Sequence, residues 1–125
     1  MDLYREFEFE TKEYDRITKE QAKIRESIQS YEHKKNETLM VKSELELLNE
    51  DEVVYKLIGP TLIQQDTGDS KIQIDSRLEM INKEINKLEK NYKENDVKLE
   101  TKRKRVQEIQ NKFIQMNKAR QQQQQ

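Results

Sequence analysis

The sequence lacks cysteine and tryptophan, and it has only two glycines, one proline and one histidine. Without cysteine there is no disulfide framework, thiol nucleophile or thiolate metal site. Gly59 and Gly68 alone cannot form a glycine-rich phosphate loop, which excludes an ATPase of that type. His33 has no second histidine or cysteine to share a metal with, so we interpret it as a surface residue. We therefore expect no enzymatic activity, no cofactor and no bound metal.

Long apolar runs are also missing. The first six residues contain acids and no apolar stretch, which argues against a secretory signal. No segment approaches the roughly 18 apolar residues of a membrane span. The formal net charge is −1, so no overall field attracts nucleic acid or anionic lipid. We expect neither nucleic acid nor membrane as a partner.

Charge is what the sequence has in abundance. Charged residues make up 39% of the 125 residues and hydrophobic residues 32%, against about 25% and roughly 45–50% in ordinary soluble domains. The length suits one domain, but the apolar content is too low for a single compact core. Disorder and long coiled helices both fit these totals, and periodicity distinguishes them.

The second half of the chain carries a continuous seam. Its positions alternate in steps of four and three, the 3.5-residue repeat of a coiled coil, and no glycine or proline interrupts them. One helix is predicted from about residue 70 to 118. The seam positions are Ile74, Leu78, Ile81, Ile85, Leu88, Tyr92, Asn95, Leu99, Lys102, Val106, Ile109, Phe113 and Met116.

The first half repeats this spacing and predicts a helix over about residues 2–48. Its seam runs in four-three steps as far as Tyr31, slips in phase near Lys34–Thr38, and resumes at Thr38, Val41, Leu45 and Leu48. Two long helices of equal length, joined by a bend, fold back as an antiparallel pair. The early positions are Leu3, Phe7, Glu10, Tyr14, Ile17, Gln21, Ile24, Ile28 and Tyr31.

The bend has a different chemistry. Two β-prone runs flank Gly59-Pro60 and predict a β-hairpin over about residues 53–65. Residues 66–70 form a loop rich in helix-capping side chains. An isolated hairpin with apolar residues on both faces is marginal in water, so it requires strands from other subunits. The expected oligomer interface is Val53, Val54, Tyr55, Leu57, Ile58, Leu62 and Ile63.

The hairpin and its flanks resemble those of the beta-type subunits of the prefoldin family. The residues concerned are VVYKLIGPTLIQQ (residues 53–65), VKSELELL (41–48) and RLEMI (77–81). The resemblance makes residues 1–120 one prefoldin-like domain and implies the corresponding fold. That fold is mainly α, a long antiparallel two-helix coiled coil with one β-hairpin that oligomerises through a β-barrel platform. Residues 121–125, a low-complexity glutamine tail, are expected to be disordered.

The resemblance also implies a function. Prefoldin is a hetero-hexamer of two alpha-type and four beta-type subunits, and a single hairpin indicates the beta type. Its coiled coils capture non-native proteins such as actin and tubulin and deliver them to the cytosolic chaperonin without hydrolysing ATP. The implied partners are alpha- and beta-type prefoldin subunits, non-native clients and the chaperonin, and the implied location is the cytoplasm.

Two charged clusters invite other interpretations. The basic run Lys102–Arg105 suits nucleic acid or nuclear import, but on a strict heptad its charges spread around a solvated helix face. The acidic cluster of Glu44, Glu46 and residues 50–52 offers paired carboxylates. Acid–base chemistry requires a water-excluding pocket, which a two-helix arm does not provide.

The helix ends are the candidate client site. Antiparallel pairing brings the start of the first helix beside the end of the second, and Tyr4, Phe9 and Ile114 lie off the seams. Aromatic and methionine side chains adapt to varied apolar partners. The alternative is ordinary seam residues with scattered surface apolars. The expected client contacts are Leu3, Tyr4, Phe7, Phe9, Phe113, Ile114 and Met116.

Two competing functions remain. A structural coiled-coil scaffold or tether would use the same helices, but it needs only a short turn at the bend. A coiled coil that binds nucleic acid would depend on the Lys102–Arg105 run, which the near-zero net charge disfavours.

Overall fold

The computed structural model describes residues 2–48 and 53–123. Four elements follow in order: helix α1 (Leu3–Glu46), strand β1 (Val54–Ile58), strand β2 (Thr61–Gln65) and helix α2 (Thr67–Gln123). The predicted fold class is confirmed, since two long antiparallel helices are joined through one β-hairpin.

Both helices begin with an aspartate cap. The Asp2 carboxylate accepts a hydrogen bond from the Arg5 N–H at 2.8 Å, and the Asp66 carboxylate accepts one from the Asp69 N–H at 3.2 Å. Such side chains satisfy N–H groups that the first helical turn leaves unpaired. Because Asp66 is the cap, α2 starts at Thr67, and the loop predicted over residues 66–70 is mostly the first helical turn.

The chain forms two compact units, each containing stretches of both helices. The first comprises Met1–Arg25 with Lys90–Gln125, and in it Ile109 is completely buried and Ile17 nearly so. The second comprises Glu26–Glu89 and includes the hairpin. Its buried apolar residues are Leu45, Leu78, Ile81 and Ile85. All of these are predicted seam positions, so the coiled-coil spacing is confirmed where the cores lie.

The predicted phase slip near Lys34–Thr38 is wrong. Lys35 and Lys42 are half-buried at the positions that continue the four-three spacing, and Val41 is exposed. A lysine can occupy a seam because its aliphatic stem covers apolar surface while its ammonium reaches the edge. The Lys42 Nζ lies 3.0 Å from the Asp75 Oδ1 on α2.

At the other end of the chain the seam stops earlier and the helix stops later than predicted. Every side chain from Ile114 to Gln123 is exposed, including Met116, which the spacing placed on the seam. The helix continues past Lys118 to Gln123, where the glutamine tail was expected to be disordered. Glutamine and arginine are good helix formers, and no glycine or proline stops the helix here. Residues 124 and 125 lie outside the described residues.

The strands pair in antiparallel register, with Leu57 opposite Leu62 and Ile58 opposite Thr61. Gly59 and Pro60 form a two-residue turn in which Gly59 has a φ of +59°. Glycine at the first central position is typical of a type II′ turn, whose twist matches that of the strands. Within the described residues the sheet has two strands, so each strand keeps one unpaired edge.

Candidate functional site

The hairpin exposes nearly all of its apolar side chains. Leu57 is 67% exposed and Leu62 is 64% exposed, although leucine is usually buried in folded proteins. Of the seven residues predicted to form the oligomer interface, Val54 alone is half-buried. The exposed six, which we call the hairpin patch, are Val53, Tyr55, Leu57, Ile58, Leu62 and Ile63.

The hairpin patch occupies both faces of the sheet. Successive side chains of a strand point to opposite faces, so Tyr55 and Leu57 lie on one face and Ile58 on the other. The register adds Leu62 to the first face and Ile63 to the second. A two-stranded sheet with two apolar faces and two open edges can accept further strands at its edges and further apolar layers on its faces.

An open groove of about 500 Å³ lies where the hairpin meets the helices. Its lining combines Leu45 and Ile74 from the helices with Val54 and Tyr55 from β1, and Arg77 contributes a charge. Open apolar walls of this kind suit contact with another polypeptide. The sequence did not predict this groove, because its walls come from three separate segments, residues 41–45, 54–56 and 65–77.

At the other candidate site, part of the predicted set forms internal packing. Phe7 and Phe113 meet edge to face, with ring centroids 5.9 Å apart and an interplanar angle of 70°. Such pairs stabilise beyond their buried area. Both rings and Leu3 are half-buried. These three residues therefore contribute more to packing between α1 and α2 than to an exposed surface.

The remaining four predicted client contacts are exposed. Tyr4 is 70% exposed, and Phe9, Ile114 and Met116 are each about half exposed. We call these four residues the helix-end patch. They lie within the first compact unit, on its α1 and α2 segments. The sequence placed Tyr4, Phe9 and Ile114 off the seams, whereas it placed Met116 on the seam.

Three of the four side chains of the basic run Lys102–Arg105 form ion pairs. The Lys102 Nζ lies 2.9 Å from the Glu10 Oε2, and Arg105 hydrogen-bonds to both Glu6 and Glu108. These hydrogen bonds raise the pKa of Arg105. Arg103 pairs with Glu100 on the same helix. Two of the four cations therefore join α1 to α2, which favours the structural interpretation of the run.

Arg103 and Glu100 form a bidentate pair within α2. The Arg103 Nε and Nη2 donate to the two Glu100 carboxylate oxygens at 3.0 and 2.6 Å. The hydrogen bond from Arg103 lowers the pKa of the Glu100 carboxyl. Across the described residues, Lys104 is the one cation of the run without an ion pair.

A polar layer interrupts the core of the first unit. The buried Gln21 donates its amide hydrogens to the Tyr92 carbonyl at 2.9 Å and to the Asp96 carboxylate at 3.0 Å. Arg25 donates to the Tyr92 hydroxyl at 2.6 Å, and this hydrogen bond raises the pKa of Arg25. Sequence spacing placed Gln21 on the seam but did not reveal these partners.

The other candidates have surface positions. His33 lies 3.0 Å from Glu37 one turn along α1, and both side chains are exposed. Glu44 and Glu46 are exposed, while residues 50–52 of the acidic cluster lie outside the described residues. In the part of the chain that the structure describes, no group of three or more histidine, cysteine or acidic residues is placed to hold a metal ion. None of the described helices is long and apolar enough to cross a membrane.

Comparison with known proteins adds independent findings. A match to the family described as "Prefoldin subunit" covers residues 9–124. The "Probable prefoldin subunit 6" of Caenorhabditis briggsae is 34% identical over 94% of this chain and 91% of its own length. "Prefoldin subunit 6" of Arabidopsis thaliana is 32% identical over 94% of this chain and 93% of its own length. The solved prefoldin beta subunit from Thermococcus strain KS-1 has a TM-score of 0.77 at 18% identity, covering 82% of this chain and 90% of that one, which establishes the shared fold.

Proposed function

This chain belongs to the prefoldin family, and we propose that it is a beta-type subunit of a hetero-hexameric co-chaperone, of the kind its relatives named prefoldin subunit 6 represent. Family members form hetero-oligomers with other prefoldin subunits. The proposed role is to hold non-native proteins, actin and tubulin among them, and to pass them to the cytosolic chaperonin in the cytoplasm. It requires no ATP hydrolysis and no other catalysis by this chain.

The uncovered hairpin patch is the observation that carries this proposal. Leu57 and Leu62 face each other across the strands, yet each is about two-thirds exposed. Burying such a side chain contributes roughly 1.5–3 kcal/mol. Association with a partner that covers these residues is therefore favourable. Strands from neighbouring subunits would extend the sheet into a barrel platform and bury both apolar faces at once. A simple tether would gain nothing from this hairpin.

The helix-end patch is the proposed client site. Its four side chains are each at least half exposed, and non-native proteins present apolar segments in no fixed geometry. Tyr4, Phe9, Ile114 and Met116 can each cover part of such a segment, with weak affinity for any one arm. Several arms on one platform would then hold a client by multivalency, which can exceed single-site affinity by orders of magnitude.

A hexamer carrying three substitutions in this patch tests the proposal. We expect Tyr4, Phe9 and Ile114 changed together to Ser to weaken protection of a denatured client, measured by light scattering after dilution into the complex. Assembly with partner subunits, measured by size-exclusion light scattering, should be unchanged because the hairpin is untouched.

The matched control removes three other apolar side chains that are also more than half exposed. Met40, Met80 and Val97 are each 67–68% exposed and lie outside the helix-end patch. Changing all three to Ser should leave protection as in the wild type. Equal protection by both triple variants would reject the client site. A wild-type complex that assembles but does not protect a denatured client would favour the scaffold function.

A further inference from the structure

Phe9 differs from the rest of the helix-end patch because it has a partner on the opposite helix. The Lys102 Nζ lies 5.5 Å from the centroid of the Phe9 ring. This is within the roughly 6 Å over which a cation is attracted to an aromatic face. Among the described residues, Tyr4, Ile114 and Met116 make no ring–ring or cation–ring contact.

The same ammonium is held from a second side. Its nitrogen lies 2.9 Å from the Glu10 Oε2, and the two side chains are only 27% and 14% exposed. Lys102 occupies a seam position, so its stem passes between the helices and its head group has little room to move. One cation is therefore fixed at a point where it contacts a seam carboxylate and the face of Phe9.

The neighbouring cations are committed elsewhere. Arg103 pairs with Glu100 along α2, and Arg105 pairs with Glu6 and Glu108. No other cation–ring contact to Phe9 exists among the described residues. Among the described residues, Lys102 is therefore the one cation that lies against the Phe9 ring.

We propose that Lys102 is a positioning residue for the helix-end patch, its charge holding the Phe9 ring against α2 with the opposite face open to a client. This inference rests on the proposed client site. A ring that is already ordered loses less freedom when a client covers it, so Lys102 strengthens client binding without touching the client.

A spectroscopic label at position 9 reports this arrangement without any client. The full chain would carry 4-fluorophenylalanine in place of Phe9, be assembled with its partner subunits, and be followed by ¹⁹F NMR. We expect Lys102→Met to shift and narrow the resonance, because the ring loses its cation. Lys102→Arg should keep the wild-type signal, since a guanidinium binds an aromatic face at least as well.

Glu10→Gln is the matched control. It removes the negative charge of Glu10 but keeps a side-chain oxygen that can accept a hydrogen bond from the Lys102 ammonium. The ammonium then stays beside the ring, so we expect the wild-type ¹⁹F signal. An unchanged signal in Lys102→Met overturns the proposal. A change in Glu10→Gln as large as that in Lys102→Met also overturns it, because the packing of the helix pair would then orient the ring.

Client release gives the functional readout. Dissociation of a fluorescent unfolded protein from the hexamer should be about two- to fivefold faster for Lys102→Met, the range expected for one exposed cation–ring contact, and normal for Lys102→Arg. An unchanged rate in Lys102→Met, where Phe9→Ala does accelerate release, overturns the proposal. If Phe9→Ala has no effect, Phe9 is not a client contact and the proposed role of Lys102 in client binding is wrong, while the ¹⁹F result still decides whether Lys102 positions the ring.

Discussion

Alanine substitutions at two isoleucines five residues apart on α2 should affect different properties, one the stability of the chain and the other client binding. Ile109 is 0% exposed and Ile114 is 52% exposed. Replacing a buried isoleucine by alanine costs about 2–5 kcal/mol, depending on how far the cavity collapses. A two-helix pair can close partly around a small gap, so we expect about 2–3 kcal/mol for Ile109→Ala, the lower part of that range. For Ile114→Ala, off the seam and half exposed, we expect a change within about 0.5 kcal/mol.

Circular dichroism at 222 nm, recorded as the full-length chain is heated, measures this difference. At about 4 °C per kcal/mol, Ile109→Ala should lower the unfolding midpoint by roughly 8–12 °C, and Ile114→Ala should shift it by no more than about 2 °C. Client release should respond in the opposite order when measured well below both midpoints, with Ile114→Ala faster and Ile109→Ala normal. Equal midpoints for the two variants would refute the assignment of Ile109 to the core.

Two further predictions concern the hairpin. Leu57→Asp should prevent assembly with partner subunits in size-exclusion light scattering, because burying an unpaired charge costs several kcal/mol, whereas Val97→Asp, at an equally exposed helical position, should assemble normally; an assembled Leu57→Asp complex would exclude the hairpin as the interface. Gly59→Ala should weaken assembly by about 1–2 kcal/mol, measured by titration with partner subunits, since a β-carbon meets no atom within 4 Å and the cost lies in the positive φ alone; unaltered affinity would mean that the turn relaxes to another conformation.

Periodicity predicted the fold well because the four-three spacing depends on local helix geometry. Ile17, Ile81 and Ile109 are buried where that spacing placed them. It failed at Lys35 and Lys42, since a search for apolar residues overlooks a lysine stem that packs like one. The start of α2 was also missed, because Asp66 and Asp69 are both good caps and spacing cannot choose between them.

The candidate sites were predictable to different degrees. The interface predicted at the hairpin follows from β-prone apolar runs around Gly59-Pro60, and the structure leaves six of its seven residues exposed, the hairpin patch. The helix ends were only partly resolved. The spacing placed Phe7 and Phe113 on the seams and Phe9 off them, yet all three were predicted as client contacts, and the structure packs Phe7 on Phe113. The contact between Lys102 and Phe9 joins residues far apart in sequence, so its detection requires the register of the two helices.

The open edges of the hairpin make the abundance of this chain in the cell depend on the abundance of its partner subunits. A protomer made in excess would carry unpaired strand edges and uncovered apolar side chains, a surface that promotes edge-to-edge aggregation. Chaperones and proteases continuously remove such orphan molecules. Partner abundance would therefore set how much of this subunit persists. Depleting one partner should lower the level of this chain while its messenger RNA stays constant.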